Sequence, residues 1–134
     1  MRRLGLWLLP LLAMLASAAS ACPADGFSGA LLKGEKAAIS LHLEPDPPLV
    51  DDFFVIDATV CDVAGKPARL YYVDAIMPAH GHGMNYRPEV EDRGEGRYRI
   101  TGMLFHMQGA WRLRFDVETA AGAERLTSAV HAGF

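Results

Sequence analysis

The residues of this chain best suited to chemistry are histidines and methionines that cluster in one stretch and in a shorter echo of it. Residues 77–84 read MPAHGHGM and residues 105–109 read FHMQG. Three of the five histidines lie between residues 77 and 107, and so do all four methionines that follow residue 21. Imidazole nitrogen and thioether sulfur are uncharged ligands that suit copper, and glycines let a backbone bend around an ion. The pattern therefore predicts a copper site.

Each candidate ligand has its own reason for inclusion. His80 and His82 are two residues apart, so in an extended segment their side chains project to the same side and can chelate one ion. His106 and Met107 are adjacent and would face opposite ways on a regular strand, so they share an ion only if the chain turns there. Met84 lies outside any alternating pattern, which favours a ligand over a core residue. The candidate metal ligands are accordingly His80, His82, Met84, His106 and Met107.

Other interpretations of these residue types remain open. A glycine-rich loop that carries histidines can serve turn geometry alone. Met77 and Met103 stand at strand ends, where a methionine more often fills a gap in the core. Thioethers are poor zinc ligands, so the methionines favour Cu(I) over zinc. The sequence contains no Ser/His/Asp set, phosphate-binding loop or dinucleotide fingerprint, and we expect no enzyme.

The elements that must position these residues are strands. Apolar and polar residues alternate with a period of two between turn signals, a pattern typical of half-buried antiparallel strands. Seven short strands at roughly ten-residue spacing predict an all-β fold, an immunoglobulin-like antiparallel β-sandwich. The predicted strands span residues 39–44, 53–62, 68–77, 87–91, 97–102, 110–118 and 124–131.

Strand direction predicts that the two motifs meet. If consecutive strands run antiparallel, their connections alternate between the two ends of the sandwich. One end, which we call the histidine rim, then holds the connections at residues 44–52, 78–86 and 105–109. The other end, the far rim, holds the turns at residues 62–67, 92–96 and 119–123. His80, His82 and Met84 should therefore lie beside His106 and Met107.

The start of the chain predicts export. Arg2 and Arg3 precede an apolar run at residues 4–15 and small-residue cleavage sites, so residues 1–21 are interpreted as a signal peptide and the compartment as the periplasm. No second apolar run of spanning length follows, so no membrane span is expected once this leader is removed. Without Arg2 and Arg3, the 13 Lys and Arg fall to 11 against 16 Asp and Glu, a net charge of minus five. That balance argues against nucleic acid as a partner.

The two cysteines of the chain, Cys22 and Cys61, invite a disulfide in an exported protein. Cys61 ends the second predicted strand at the far rim, and Cys22 precedes the first strand by enough residues to reach it. The alternative is a lipid anchor, because residues 19–22 read ASAC, a degenerate lipobox that would acylate Cys22. The two fates of Cys22 are mutually exclusive.

Four segments of the chain carry a family resemblance: residues 77–90 (MPAHGHGMNYRPEV), 94–98 (GEGRY), 102–107 (GMLFHM) and 109–117 (GAWRLRFDV). They resemble the YtkA-like domain, which is related in pattern to the FixH proteins. The resemblance implies a YtkA-like β-sandwich domain at residues 36–134, preceded by an amino-terminal arm at residues 22–35. It also implies a role in copper handling and in the assembly of haem-copper oxidases.

The expected function is therefore an exported copper-binding module that holds or relays Cu(I) in copper homeostasis or oxidase assembly. Its expected partner is a copper donor or acceptor protein, or an oxidase assembly factor. The alternative belongs to a different class: a metal-free protein-interaction or assembly module in which the glycine and histidine loop is a docking surface.

Overall fold

The structure, a computed structural model, describes Cys22 and residues 29–134. The predicted signal peptide at residues 1–21 lies outside these residues, as does the part of the predicted arm at residues 23–28. Within the described part, no helix is long and apolar enough to cross a membrane. The described residues form nine strands: β1 (Ala30–Lys33), β2 (Ala37–Glu44), β3 (Phe53–Asp62), β4 (Arg69–Met77), β5 (His82–Gly83), β6 (Glu89–Gly94), β7 (Arg97–Leu104), β8 (Gly109–Thr119) and β9 (Gly122–Ala132).

The strands form two antiparallel sheets packed face to face, which confirms the predicted all-β sandwich. One sheet has the order β1-β2-β3-β7-β6 and the other has the order β5-β4-β8-β9. Without β1 and β5, this arrangement is that of an immunoglobulin constant-type domain, with four strands facing three. All seven predicted strands are present, and β1 and β5 are short additions at the sheet edges.

The core lies between the sheets and is built from the inward positions of each strand. In β8, Trp111, Leu113, Phe115 and Val117 are all at most 1% exposed, as the alternation predicts. The side chain of Phe105 is also fully buried, and its ring stacks on the indole of Trp111 with the centroids 4.5 Å apart. Trp111 thus carries one of the largest buried surfaces of the domain, directly beneath the histidine rim.

Backbone and side-chain contacts show that the three connections of the histidine rim lie together. Val50 bridges to Phe105, and the Asp51 N–H donates to the Phe105 carbonyl at 2.9 Å, so the 44–52 loop lies against the start of the 105–109 turn. The imidazole rings of His82 and His106 have centroids 5.1 Å apart, which joins the 78–86 loop to that turn. Alternating strand direction was therefore sufficient to predict which connections share an end.

The far rim holds the disulfide. Cys22 and Cys61 are bonded, with Cα atoms 5.7 Å apart. Cys61 lies in β3 opposite Ala38 of β2 and also bridges to Pro67, so the bond attaches the amino-terminal segment to the end of the sandwich away from the histidines.

A single carboxylate fastens the β1–β2 turn to β9. Glu124 accepts hydrogen bonds from the backbone N–H groups of Glu35, Lys36 and Ala37 at 2.7, 2.9 and 2.9 Å. Burial by itself raises the pKa of Glu124, but the three N–H donors and the Lys36 charge outweigh it and hold the pKa below its ordinary value. This interaction crosses from one sheet to the other, since β1 and β2 belong to the first sheet and β9 to the second.

Replacing Trp111 by Ala should destabilise the domain by about 3–5 kcal/mol, because a large buried aromatic leaves a cavity that a thin sandwich cannot close. Urea unfolding followed by circular dichroism measures the change. Phe134→Ala is the matched control, since Phe134 is 91% exposed and its loss should cost little. Equal unfolding midpoints for Trp111→Ala and the unmodified protein would contradict the assignment of Trp111 to the core.

The purified protein should contain no free thiol until it is reduced, and two thiols afterwards. Replacing Cys61 by Ser should lower the free energy of unfolding by roughly 2–4 kcal/mol, because the bond no longer restricts the unfolded chain. Thiol titration and mass spectrometry check both statements. A diacylglyceryl group on Cys22 would show the lipid-anchored form instead.

Glu124→Gln should lower the thermal midpoint at pH 7, because a neutral amide accepts the three N–H bonds less well. The pKa of Glu124 is lower in the folded than in the unfolded protein, where it is about 4.3, so the ionised carboxylate stabilises the fold at any pH above that unfolded-state pKa. This stabilisation is lost as the pH falls through the folded-state pKa. The midpoint difference from the unmodified protein should therefore shrink below about pH 4.3. Glu95→Gln, at an exposed turn, is the control; a Glu124 effect that ignores pH would mean that charge plays no part.

Candidate metal centre

The histidine-bearing loop is a tight hairpin between β4 and β5. The N–H groups of His80 and Gly81 both donate to the Met77 carbonyl, at 3.1 and 3.0 Å. Gly81 has a φ of +67°, a backbone conformation that glycine adopts without strain and that strains other residues. Met77 then pairs with His82 across the hairpin. The glycine between the two histidines thus turns the chain so that His82 comes back beside the end of β4.

His82 is the centre of a group of rings. Its centroid lies 5.7 Å from that of His80, 5.1 Å from that of His106 and 5.7 Å from that of Trp111. His106 also meets Trp111 edge-on, with the centroids 5.5 Å apart. The structure therefore brings together three of the five residues predicted as ligands, from two segments of the chain.

These separations are compatible with one ion between the rings. Two imidazoles that bind one ion through nitrogens at about 2.0–2.1 Å place their ring centroids on the order of 5–6.5 Å apart. No group of three or more His, Cys, Asp or Glu side chains within Cys22 and residues 29–134 converges on a point as a metal site. An ion here would therefore use at most two of the imidazoles as they stand, and thioether sulfur would have to supply any further ligand.

The nitrogen atoms of the central pair have different surroundings. His82 Nδ1 lies 3.1 Å from the Gly83 carbonyl, which can only accept, so in the neutral ring Nδ1 carries the proton and Nε2 has the lone pair. His106 Nδ1 is buried, and no described group hydrogen-bonds to it. A buried polar atom without a partner costs free energy, which a ligand or water at this position would recover. Both imidazoles thus have a nitrogen that fits a metal ion.

Trp111 forms the floor of the site. Its indole N–H donates to the Met107 carbonyl at 2.9 Å, which fixes the backbone of the 105–109 turn above it. Gly109, with a φ of +126°, completes that turn, and a Cβ there would approach the Met77 methyl group at 2.9 Å. The turn that adjacent His106 and Met107 require is therefore present, with Gln108 in its exposed part.

The methionines divide into two groups. Met77 and Met103 are 3% and 0% exposed and belong to the core, in agreement with their interpretation as gap-fillers. Met84 and Met107 are half-buried and pack against the core without being enclosed by it. Met107 is held beside the rings through its carbonyl, which accepts from the Trp111 indole, and Met84 directly follows β5, the strand that carries His82.

The loop next to the 105–109 turn is acidic. The 44–52 loop, which lies against Phe105, carries Glu44, Asp46, Asp51 and Asp52, all exposed. No lysine or arginine occurs in that loop. Negatively charged carboxylates without neighbouring positive charges raise the local concentration of cations.

Comparison with known protein families, curated proteins and solved structures finds no match for this chain. The resemblance to the YtkA-like domain therefore stays a prediction, and the roles of these residues depend on their geometry alone. Sequence reasoning did not find β5, or that Trp111 contacts both His82 and His106. The contact of Trp111 with the histidines could have been inferred, because the period-two pattern places Trp111 inward, two residues after the 105–109 turn.

Proposed function

We propose that this protein is an exported copper-binding module that holds or relays Cu(I). The observation that carries the proposal is the approach of His82 and His106, whose ring centroids lie 5.1 Å apart although the residues belong to different connections. Two neutral imidazoles suit Cu(I), which accepts few ligands and tolerates soft, uncharged ones. In this proposal His82 Nε2 and a nitrogen of His106 are the primary ligands.

The remaining candidates have lesser roles in the proposal. Met84 and Met107 are half-buried, and in the proposal their flexible side chains supply any thioether ligand. His80 is exposed at the top of the hairpin and lies on the solvent side of His82. An exposed imidazole beside the primary pair is suited to the first contact with an incoming ion or to its release.

An open site of this kind favours transfer over permanent storage. The floor is buried aromatic surface, which excludes water from one side, while the hairpin leaves the other side accessible. A copper donor or acceptor protein can then coordinate the ion with a ligand of its own before the two imidazoles dissociate from it. Copper homeostasis and oxidase assembly, the processes implied by the family resemblance, both require such a handover.

His82→Ala and His106→Ala should each weaken Cu(I) binding tenfold or more, because each removes one of the two primary ligands. The double substitution should cost less than the sum of the single costs, since residues that serve one ion act as a unit. Competition with a Cu(I) chelator measures the affinity. Fluorescence supplies a second readout, because Trp111, which contacts both rings, is the single tryptophan after residue 21.

His42→Ala and His131→Ala are the matched controls, since both histidines are exposed and lie outside the ring group. Their affinities should equal that of the unmodified protein, and copper should still quench Trp111. Strong copper binding that is indifferent to both His82 and His106 would refute the shared site. A protein that binds no copper would favour the metal-free docking module.

A further inference from the structure

A groove runs along the open side of the sandwich, between the edge of β4 and the chain that leads from β5 into β6. Its volume is about 460 Å³. Tyr71, Tyr72 and Val73 line it on the β4 side, and Met84, Tyr86 and Arg87 line it on the other. This β4–β6 groove begins beside the histidine rim and extends away from it along the domain.

The floor of the groove is a strand edge without a partner. On this side β4 pairs only with β5, and only at Ile76 and Met77. No described strand pairs with residues 69–75 there, so this part of β4 is an exposed edge. Of the other sheet edges, β1 has four residues, β6 has a bulge and carries four charged side chains, and the longer β9 is tied to the β1–β2 turn through Glu124. Natural sheets usually blunt their edges in these ways.

The edge of β4 presents main-chain groups at defined positions. The Ala75 N–H donates to the Asp74 carboxylate at 2.7 Å, and the Ala75 carbonyl faces Gly83, so the main-chain groups of Ala75 point to the β5 side. Main-chain direction alternates along a strand, so the N–H and C=O of Val73 point to the same side, beyond the end of β5. A polypeptide in extended conformation can hydrogen-bond to both groups.

A bulge places two aromatic residues at this edge. The register between β4 and β8 shifts between Leu70 and Tyr72, so Tyr71 and Tyr72 both face outward in succession, 46% and 44% exposed. The Tyr72 hydroxyl donates to Asp74, and partial burial together with the Asp74 charge raises the pKa of Tyr72. Bulges that redirect side chains are common beside functional sites.

The opposite wall continues the aromatic surface and adds a charge. Tyr86 is 51% exposed and meets Phe53, 59% exposed, edge-on at 5.4 Å. Exposed aromatic residues are enriched in protein interfaces, because they bury much area with little loss of side-chain entropy. Arg87 makes no ion pair with any residue in the described part of the chain, whereas Asp74 is already paired with Arg114.

We propose that the β4–β6 groove binds an extended segment of a partner polypeptide, which adds as a strand to the free edge of β4. The main-chain groups of Val73 supply the hydrogen bonds, and the tyrosines accept the apolar side chains of the segment. Arg87 selects a segment that carries a carboxylate. Strand addition is a recurrent mode of peptide recognition, with affinity from the main chain and specificity from flanking pockets. The proposal does not depend on copper.

The probe for this proposal is a phage-displayed library of random twelve-residue peptides, selected on the purified exported protein with a metal chelator present. Enriched peptides should alternate apolar residues and carry Asp or Glu. Tyr72→Ser and Arg87→Gln should each weaken the selected peptides tenfold or more, as measured by fluorescence anisotropy. Hydrogen exchange of the Val73 amide should slow at least tenfold in the complex, because a free edge N–H becomes hydrogen-bonded.

Val63→Ser and Arg112→Gln are the matched controls, because both residues are exposed and lie outside the groove. Affinities of these variants should stay within twofold of the unmodified protein. Tyr71→Ser replaces Tyr72→Ser if the latter lowers the thermal midpoint. A library without enriched peptides would overturn the proposal, as would binding that ignores Tyr72 and Arg87 or an unchanged Val73 amide. Sedimentation showing a dimer that Tyr72→Ser dissociates would mean that a second copy of this chain occupies the groove.

Discussion

The arrangement of the histidine rim depends on the burial of Trp111. Its ring stacks on Phe105 in the core, while its N–H holds the Met107 carbonyl and its edge meets His82 and His106. One side chain therefore connects the packing of the sandwich to the placement of the candidate ligands. A buried indole must find an acceptor for its N–H, and the acceptor it finds is the Met107 carbonyl in the turn that carries His106. The backbone conformation of the 105–109 turn is thus a consequence of core packing.

Much of this could be predicted from the sequence because period-two patterns are strong in β3, β4 and β8. Once the strands were placed, counting directions was enough to bring His82 and His106 to one end. The ring distances could not be predicted, because they depend on the Gly81 conformation and on where Trp111 lies within the core. The two-residue β5 was also beyond reach, since two residues carry no periodicity. Its existence follows from the hydrogen bonds of the hairpin and not from side-chain pattern.

The edges of the two sheets differ in how they are protected. At the far rim, Glu124 binds the N–H groups of the β1–β2 turn and ties that turn to β9, which closes one side of the sandwich. On the other side, β5 covers only the end of β4, and the bulge at Tyr71 adds aromatic side chains where charges would protect the edge better. The Asp74 carboxylate caps the Ala75 N–H, yet it leaves Val73 uncovered. The unprotected stretch is thus short and lies directly beyond β5.

The two surfaces meet at β5. His82 is the central ring of the histidine group, and Met84, one residue after the strand, lines the β4–β6 groove. β5 is held to β4 through only two residue pairs, so it opens at a lower free-energy cost than the long strands around it. A polypeptide added to the edge of β4 would continue the line of β5 and press on Met84. Such an occupant would also limit the motion of His82, because only Gly83 separates His82 from Met84.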